Sequence, residues 1–442
     1  MADSHITREL LRAVSRGELP PRLLFQIGAE HLTHVCPHCR KEIEAWKKER
    51  AQRPQDYTHV FEILPRVIDE QIPRITRQRK EALRDLKVLL ALPPEKRSAK
   101  VKRAHNRFRG AALAELLLEE SRKVLHGNPQ SALHLAELAR TVIHHSPNAP
   151  GLFNLIALST AYMANASRVG GELRQAEGHF GHARYVITHE GVTDPEVLAR
   201  IDDLEASLRK DQRRFDLSEE LLARAAMLYR LAGGKVESLR VLVKLADTYF
   251  HQGAVSRAIE ALRPTLRRMR RVDEPRLFMC ARFNLARYLT ELGEYQEAEE
   301  ILSAEADLFQ RFAEPWTTLR VIWLKGKIAA ARGDLAEAER AFLEAREGFI
   351  AEGVGYDAAM VSVEDLALLY LKGGRLADVK LLAEEMFKIF EAGDVHREAL
   401  AALVLFQEAA QREALTAKLA REVARYLKEA RTDPSLQFRK PS

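Results

Sequence analysis

Apolar residues along most of the chain recur every three or four positions, which is the spacing of one face of an α-helix. After Gly171, for example, Ala176, Phe180 and Ala183 follow one another at these intervals. No stretch alternates apolar and polar residues in the way that a half-buried strand requires. The pattern therefore predicts an all-α protein.

A short unit is repeated from residue 171 onward. In four copies it begins with Gly, has a large apolar residue two positions later, and has Ala five positions after the start; of two weaker copies, one begins with Arg213 and the other has Val379 at the fifth position. The six units begin at Gly171, Arg213, Gly253, Gly293, Gly333 and Gly374, so successive starts are separated by 42, 40, 40, 40 and 41 residues. A regular period of this length indicates stacked helical hairpins.

Each unit has a direct physical interpretation. A glycine ends the first helix, because it tolerates the left-handed backbone of a tight turn. The large apolar residue is expected to pack under the turn at Leu173, Phe215, Val255, Tyr295, Leu335 and Leu376. The small residue lets the second helix approach the first, and the predicted contact points are Ala176, Ala258, Ala298 and Ala338. Such hairpins bury their apolar faces only against one another, which predicts one continuous core and one continuous groove.

The frame Gly-x-aromatic/Leu-x-x-Ala-x-x-x-Phe-x-x-Ala resembles the second half of the tetratricopeptide repeat (TPR). The first half matches more loosely, through Leu285, Ala286 and Leu289 before Gly293, and the family's early Trp is not kept in register. The resemblance implies a right-handed superhelical array of TPR-like helical hairpins whose groove binds peptides or partner helices. The period near 40 exceeds the family's roughly 34 residues, so longer helices are expected.

The repeats and their flanks suggest four regions. Residues 1–52 form a small helical zinc-binding module, 53–110 a helical linker, 111–395 about seven TPR-like helix pairs, and 396–442 capping helices with a tail. The first pair, over 111–147, is degenerate and is expected to turn at Gly127-Asn-Pro129. The capping helices would present the polar end that a stacked array must expose.

The N-terminal region contains a cluster of Cys and His residues. The two thiolates of Cys36-x-x-Cys39, at the start of a predicted helix, can share one tetrahedral Zn²⁺. His31 is the favoured third ligand and His5 the fourth, although His34 or His38 could replace either of them. The predicted metal ligands are therefore His5, His31, Cys36 and Cys39. Two unligated surface thiols or a redox dithiol are the alternatives for the cysteine pair.

This cluster resembles the zinc-binding anti-sigma domain of bacteria, in which an N-terminal His precedes a His-x-x-x-Cys-x-x-Cys motif. Here His5 precedes His31 by 26 positions, and four residues rather than three lie between His31 and Cys36. The resemblance implies a module that binds a sigma factor and withholds it from polymerase. In some members of that family the sigma factor is released when the zinc thiolates are oxidised.

Charge does not point strongly to nucleic acid. The net charge of +6 is the balance of 69 basic and 63 acidic residues, and these are interleaved along the predicted helices. The densest basic stretch, 97–109, could contact phosphates or could be a solvated basic helix or linker. We therefore expect protein partners and no nucleic acid.

Several further expectations concern single residues. Cys280 lies in an apolar helical segment and is expected to be a small buried hydrophobic residue. Asp202 and Asp203 occupy adjacent helical positions that point in different directions, so both are expected to be solvated. The tryptophans Trp46, Trp316 and Trp323 are candidates for packing or for the groove.

No catalytic motif is recognisable, including those of metalloproteases, serine hydrolases and phosphate-binding loops, so no enzyme is expected. With three cysteines, no secretory leader at the start of the sequence and no apolar run long enough to cross a bilayer, the chain is expected to be cytoplasmic. Two functions fit these features. One is a bacterial regulatory adaptor whose zinc module engages a sigma factor, and the other is a TPR scaffold or peptide receptor with a purely structural zinc site.

Overall fold

The computed structural model describes residues 41, 42, 45, 48, 72–104, 107–147, 149, 151–392, 397–412 and 414–430. Across the described part of the chain every regular element is helical and no strand occurs. The all-α prediction is therefore confirmed for these residues. The predicted zinc ligands His5, His31, Cys36 and Cys39 lie outside them.

The helices follow one another with short connections. They are α1 (Ile72–Leu90), α2 (Pro94–Arg103), α3 (Ala111–Val124), α4 (Pro129–His144), α5 (Leu152–Val169), α6 (Leu173–His189), α7 (Pro195–Asp211), α8 (Phe215–Leu231), α9 (Lys235–His251) and α10 (Val255–Arg267). They continue with α11 (Pro275–Leu292), α12 (Tyr295–Ala304), α13 (Ala306–Arg311), α14 (Pro315–Arg332), α15 (Leu335–Ala351), α16 (Gly355–Met360), α17 (Ala367–Lys372), α18 (Leu376–Ala392), α19 (Arg397–Gln411) and α20 (Ala417–Ala430). A π-helical segment, Val361–Leu366, joins α16 to α17.

The chain divides into two compact units. The first comprises residues 1–209 and 216–238, and the second comprises 210–215 and 239–442. In the first unit, α1 and α2 share a hydrophobic core with α3, α4 and α5, in which Leu89, Val101 and Leu117 are buried. In the second unit, one core extends from α14 to α20 and includes Phe342, Phe349 and Phe406.

The predicted turns are present with the expected backbone. At Gly293 the φ angle is 90°, and the amide of Glu294 donates a hydrogen bond of 2.9 Å to the carbonyl oxygen of Leu289. This is the Schellman arrangement that ends a helix on a left-handed residue. The same combination of positive φ and a backbone bond of equal span occurs at Gly171, Gly253, Gly333 and Gly374.

The predicted contact points between paired helices are also confirmed, because Ala176, Ala258, Ala298 and Ala338 are all fully buried. The large apolar residue after the turn behaves less uniformly. Leu335 and Leu376, the first residues of α15 and α18, are exposed rather than packed under their turns. The prediction is wrong at these two positions, where the side chain faces solvent, whereas the equivalent residue is half-buried in the other four units.

α14 and α15 approach each other closely at Gly326. A β-carbon added at Gly326 would lie 2.7 Å from Cε1 of Phe342 and 3.1 Å from Cβ of Ala341. Since Phe342 is itself buried in the core, it has little room to move. Only a residue without a side chain fits here without displacing α15.

We predict that Gly326→Ala lowers the free energy of unfolding by about 1–3 kcal/mol, because overpacking forces the two helices apart. The matched control is Gly181→Ala in α6, where an added β-carbon would meet no atom within 4 Å. There the better helix propensity of Ala should raise the free energy of unfolding by up to about 1 kcal/mol. Urea denaturation of both variants checks the pair, and equal effects would contradict the close approach at Gly326.

Candidate partner-binding face

Aligning the repeats on their turn glycines reveals a polar position that the composition does not suggest. Six residues before the glycines at 253, 293 and 333 are Asp247, Arg287 and Lys327, on α9, α11 and α14. Each of these three helices is the first helix of its pair. We call the side of α9, α11, α14 and the 355–372 arm that carries these residues the first-helix face. The sequence analysis did not predict this face, although the constant spacing of six residues between these side chains and the turn glycines could have revealed it.

Asp247 is the centre of one charge cluster on this face. Its Oδ1 accepts a hydrogen bond of 2.6 Å from Nη2 of Arg287, and its Oδ2 lies 2.9 Å from Nζ of Lys210, which also belongs to the second unit. Nε2 of His251 lies 3.5 Å from the same Oδ2. Burial alone would raise the pKa of Asp247, but Lys210, His251 and Arg287 outweigh it and hold that pKa well below its usual range.

Aromatic rings hold Arg287 from the other side. Phe250 and Tyr288 stack with their centroids 4.7 Å apart, and the Arg287 guanidinium lies 4.5 Å from the Phe250 centroid. A cation over a ring face is attracted by the negative charge of the π-system. The Arg287 side chain is therefore fixed between a carboxylate and two rings before any partner binds.

A second group of side chains lies along α14. Trp316, Arg320, Trp323 and Lys327 are spaced four, three and four positions apart, so they form one stripe of the helix, which we call the α14 stripe. Both indoles pack against the Phe349 ring in a T-shaped arrangement, each at a centroid distance of 6.0 Å. Arg320 lies 4.3 Å from the Trp316 centroid, and Nζ of Lys327 lies 5.2 Å from that of Trp323.

The π-helical segment supplies the carboxylates that face the α14 stripe. Trp323 Nε1 donates a hydrogen bond of 2.5 Å to Oδ2 of Asp365, while Nζ of Lys327 lies 3.3 Å from Oδ1. Glu364 Oε1 lies 3.5 Å from the same Nζ. The wider turn of a π-helix thus brings two successive carboxylates to one ammonium group, and such segments frequently occur at functional sites.

These contacts shift the ionisation of both partners. Burial raises the pKa of Asp365 to about 6, and the opposing effect of Lys327 is too weak to cancel it because Glu364 adds a second negative charge nearby. Burial alone would lower the pKa of Lys327, but Asp365 and Glu364 outweigh that effect and raise it. Lys327 is therefore a permanent cation on this face.

The expectation that Asp202 and Asp203 are solvated is wrong. Both are buried, and Asp202 accepts hydrogen bonds from Nη2 of Arg184 at 2.6 Å and from Nε of Arg224 at 2.6 Å. These arginines reach it from α6 and α8, on either side of α7 in sequence. Adjacent positions do point in different directions, but neighbouring helices cover both.

The prediction that Cys280 is buried is also wrong, because Cys280 is exposed. Its neighbours Met279 and Ala281 are buried. The apolar segment therefore includes one residue that faces solvent, which the sequence pattern does not predict. Cys280 precedes Arg287 by seven residues, which is two helical turns, and so it lies on the same side of α11.

The basic stretch 97–109 makes internal contacts. Nε of Arg97 donates to the carbonyl oxygens of Leu89 and Leu92, at 3.1 and 2.9 Å, and thereby caps the end of α1. Arg107 pairs with Asp85 at 2.8 Å. Two of the cations in this stretch therefore have structural partners within the chain, which disfavours the interpretation as a phosphate-binding surface.

The predicted zinc ligands His5, His31, Cys36 and Cys39 and the candidate Trp46 are not among the residues that the structure describes. Within the described ranges, no group of three or more His, Cys, Asp or Glu residues is placed to hold a metal ion. None of the helices described above has the length and apolarity needed to span a membrane.

Comparison with solved structures supports the repeat fold. The chain is similar to a Rap protein complexed with Competence and Sporulation Factor, with a TM-score of 0.55 and 15% identity over 72% of this chain and 87% of that one. Two weaker similarities are to a kinesin light chain with nearly identical TPR-like repeats from Podosopora anserina (TM-score 0.36, 17% identity, 45% of this chain and 97% of that one) and to BtubC (BKLC) from P. vanneervenii (0.39, 18%, 55% and 90%). No protein-family model and no curated protein matches the sequence. The chain has a TPR-like helical-repeat fold.

The raised pKa of Asp365 predicts a pH dependence with a definite sign. The folded chain holds the Asp365 proton more tightly than the unfolded chain, whose Asp pKa is about 3.9. The free energy of unfolding of the wild type, relative to Asp365→Asn, should therefore fall by on the order of 2 kcal/mol as pH rises from about 4 to about 6, and then stay level.

Urea denaturation of both proteins across this range measures the difference. Asp247→Asn is the control, because the pKa of Asp247 is lowered: the wild type should gain stability relative to this variant as pH rises from about 3 to about 5. A difference between the wild type and Asp365→Asn that rises with pH would contradict the raised pKa of Asp365.

Proposed function

We propose that this chain is a non-enzymatic adaptor that holds partner proteins on its TPR-like repeats, with the first-helix face of the second unit as a contact surface. The observation that carries the proposal is the α14 stripe, in which two tryptophans and two cations alternate on one side of a helix. Trp and Arg are the residue types that contribute most energy to protein interfaces when they are packed and partly desolvated.

The geometry of the face supports this role. Arg287, Arg320 and Lys327 are each about a quarter exposed, so they are accessible yet held by rings and carboxylates. A side chain that is already ordered loses less conformational entropy on binding than one that moves freely. The face is therefore pre-organised for contact with a partner.

The similarity to a Rap protein in complex with Competence and Sporulation Factor supports the proposal at the level of the fold. That protein shows that a helical array of this kind can hold a bound factor. Fold does not determine the ligand, so the identity of the partner here follows from the residues of this chain and not from that complex.

For the N-terminal region we propose a zinc module formed by His5, His31, Cys36 and Cys39. Two thiolates and two imidazoles form a donor set that suits tetrahedral Zn²⁺. In the first function the module engages a sigma factor, and the chain is a bacterial regulatory adaptor in the cytoplasm. In the alternative the zinc is purely structural, and the chain is a TPR scaffold or peptide receptor.

Selective blocking of the face tests the adaptor proposal. Cys280 is exposed on the first-helix face, so a bulky maleimide polymer attached to it should prevent capture of partner proteins from a lysate of the source organism. The experiment uses the full chain with Cys36→Ser and Cys39→Ser, so that only one thiol reacts.

The control carries the same polymer on Ser303→Cys in α12, with Cys280→Ala, because Ser303 is exposed on a second helix. We expect mass spectrometry to recover partners with the control and with the unlabelled chain, but not with the Cys280 adduct. Equal recovery with both adducts, or no recovery at all, would refute the assigned surface.

The zinc proposal predicts about one Zn²⁺ per purified chain. Cys36→Ser/Cys39→Ser should lose the metal, whereas Cys280→Ser should retain it, because Cys280 is remote in sequence from the cluster. Elemental analysis by mass spectrometry measures both. Less than about half an equivalent in the wild type would remove the support for a zinc module, given that a structural site binds tightly.

The two functions predict different results when co-purification of a sigma factor is compared between the cysteine variants. If the zinc module engages it, co-purification with the full chain should be lost in Cys36→Ser/Cys39→Ser and retained in Cys280→Ser. If no sigma factor co-purifies with the full chain, or if its co-purification does not depend on Cys36 and Cys39, while other partners are still captured through the first-helix face, the scaffold is favoured.

A further inference from the structure

The positive charge of the chain is concentrated in one segment of the first unit. Residues 72–110, which include α1 and α2, contain 13 Lys and Arg and three Asp and Glu. The totals of 69 and 63 leave 56 basic and 60 acidic residues for the rest of the chain. The net charge of +6 therefore originates in this short segment, and the rest of the chain is slightly acidic.

Four cations of this segment form a row along α1. They are spaced three, four and three positions apart, so they lie on one side of the helix over a length of about 15 Å. The side of α1 that is buried carries Ala82, Leu86 and Leu89, about 180° around the helix from these cations. All four cations are exposed, and we call them the α1 row: Arg77, Lys80, Arg84 and Lys87.

Acidic side chains do not neutralise the α1 row. Within the described residues, none of its four cations forms an ion pair. Asp85 of α1 pairs instead with Arg107, at 2.8 Å. Glu119 of α3 lies 3.8 Å from Arg79, which is nearer the buried side of α1. Glu81 lies beside the row, and one carboxylate next to four cations leaves the row with a net positive charge.

Exposed cations in the second unit provide a contrast. Arg276 lies 2.6 Å from Glu314, and Arg332 lies 2.6 Å from Glu299, in pairs that join neighbouring first helices or neighbouring hairpins. Four successive unpaired cations on one side of a helix are therefore not a general property of this chain. Such a row attracts a ligand with several negative charges.

Two large apolar side chains are exposed beside the α1 row. Leu83 is 43% exposed and Val88 is 37% exposed. With 100° between successive residues of a helix, one of them lies on each side of the row. A ligand that matches this surface therefore has negative charges in a line and apolar groups on both sides of that line.

We propose that the α1 row binds an acidic amphipathic helix of a partner protein. A helix with Asp or Glu spaced three, four and three positions apart has the same rise per residue as α1, so its carboxylates can face all four cations. Apolar residues beside those acids then cover Leu83 and Val88 and remove apolar surface from water. The α1 row and the first-helix face consist of different residues, so either surface can bind a partner without the other.

Nucleic acid fits this surface less well. A phosphodiester backbone offers no apolar groups to Leu83 and Val88, and its charge continues beyond the row. In the stretch 97–109 that follows, Arg97 and Arg107 are held by contacts within the chain. Phe108, the one Phe, Tyr or Trp among residues 72–110, is buried, so no such ring is exposed there to stack on a base.

An anionic membrane surface also fits less well. Helices that lie on membranes bury their apolar side in the lipid and keep their cations at its edge. The apolar side of α1, which includes Leu86 and Leu89, is instead buried in the core of the first unit. The membrane would therefore contact mainly the cations.

Fluorescence anisotropy of labelled peptides with the full chain tests the proposal. The probe is a synthetic helical peptide of about 20 residues, long enough to cover the row, with Glu spaced three, four and three positions apart and Leu on both sides. The reference peptide has the same composition in an order that breaks the line of Glu. We expect the probe to bind about tenfold more tightly than the reference, because four exposed ion pairs of modest strength together contribute about this factor.

A variant without the row should lose this advantage. The probe should bind it about tenfold more weakly than it binds the wild type, at physiological ionic strength. Thermal unfolding of the variant establishes that it is folded. The row variant replaces the four cations by glutamine: Arg77→Gln, Lys80→Gln, Arg84→Gln and Lys87→Gln.

The matched control removes the same amount of charge from α2. Its four residues are also exposed cations, so both variants have the same net charge. The control should change the Kd of the probe by less than about twofold, since attraction beyond a Debye length is largely screened at this ionic strength. It carries Lys96→Gln, Lys100→Gln, Lys102→Gln and Arg103→Gln.

A third variant, Leu83→Gln/Val88→Gln, keeps every charge and tests the apolar contacts. It should weaken binding of the probe about threefold or more, because apolar surface on both sides of the row is no longer covered. Binding of a labelled duplex DNA, measured in parallel, should be weaker than that of the probe and insensitive to this variant.

Three results would overturn the proposal. Equal binding of the probe and the reference peptide, or equal weakening by the row variant and the α2 control, would show a general attraction between charges and no site. Duplex DNA that binds more tightly than the probe and depends on the row would replace the acidic helix by nucleic acid. Absence of probe binding even at low ionic strength, where exposed ion pairs are strongest, would also refute the assigned partner.

Discussion

The contact between the two helices of each hairpin is the constraint on which the rest of the structure depends. It requires a small residue five positions after the turn, and the four alanines at this position are fully buried. In the hairpin of α14 and α15 the first helix also contributes a small residue, because Gly326 of α14 faces the ring of Phe342 of α15. Because the core is filled this tightly, each hairpin has one allowed register, and the directions of all its other side chains follow.

The polar first-helix face is a consequence of that register. Once the turns repeat at a nearly constant interval, equivalent positions of successive first helices lie beside one another. Asp247 then meets Arg287, and the stripe of α14 meets the carboxylates of the next arm. Charges buried at such positions must be paired, because an unpaired charge of this kind would be strongly destabilising. These ion pairs therefore connect helices that are neighbours in the fold. They also orient the cations that remain accessible to solvent.

The π-helical segment shows how one irregularity changes a repeated surface. Its place in the chain corresponds to the first helix of a pair, and the other first helices of the second unit are regular α-helices. The wider turn directs Glu364 and Asp365 toward the same ammonium of Lys327. The pKa of Asp365 rises here, since burial and a neighbouring negative charge act in the same direction. The adaptor function that we propose depends on this local chemistry, and the fold by itself would be compatible with many other ligands.

The helical class, the turns and the small contact residues could be predicted from the sequence, since they depend on local backbone preference and on periodicity within one hairpin. Gly293 and Ala298 are examples that needed no knowledge of any neighbour. The surroundings of Asp202, the exposure of Cys280 and the pairing of Lys327 with Asp365 could not be predicted in this way and are seen only in the folded chain. Those properties depend on which distant helix lies opposite, and a side chain far away in the sequence carries no local signal of its approach.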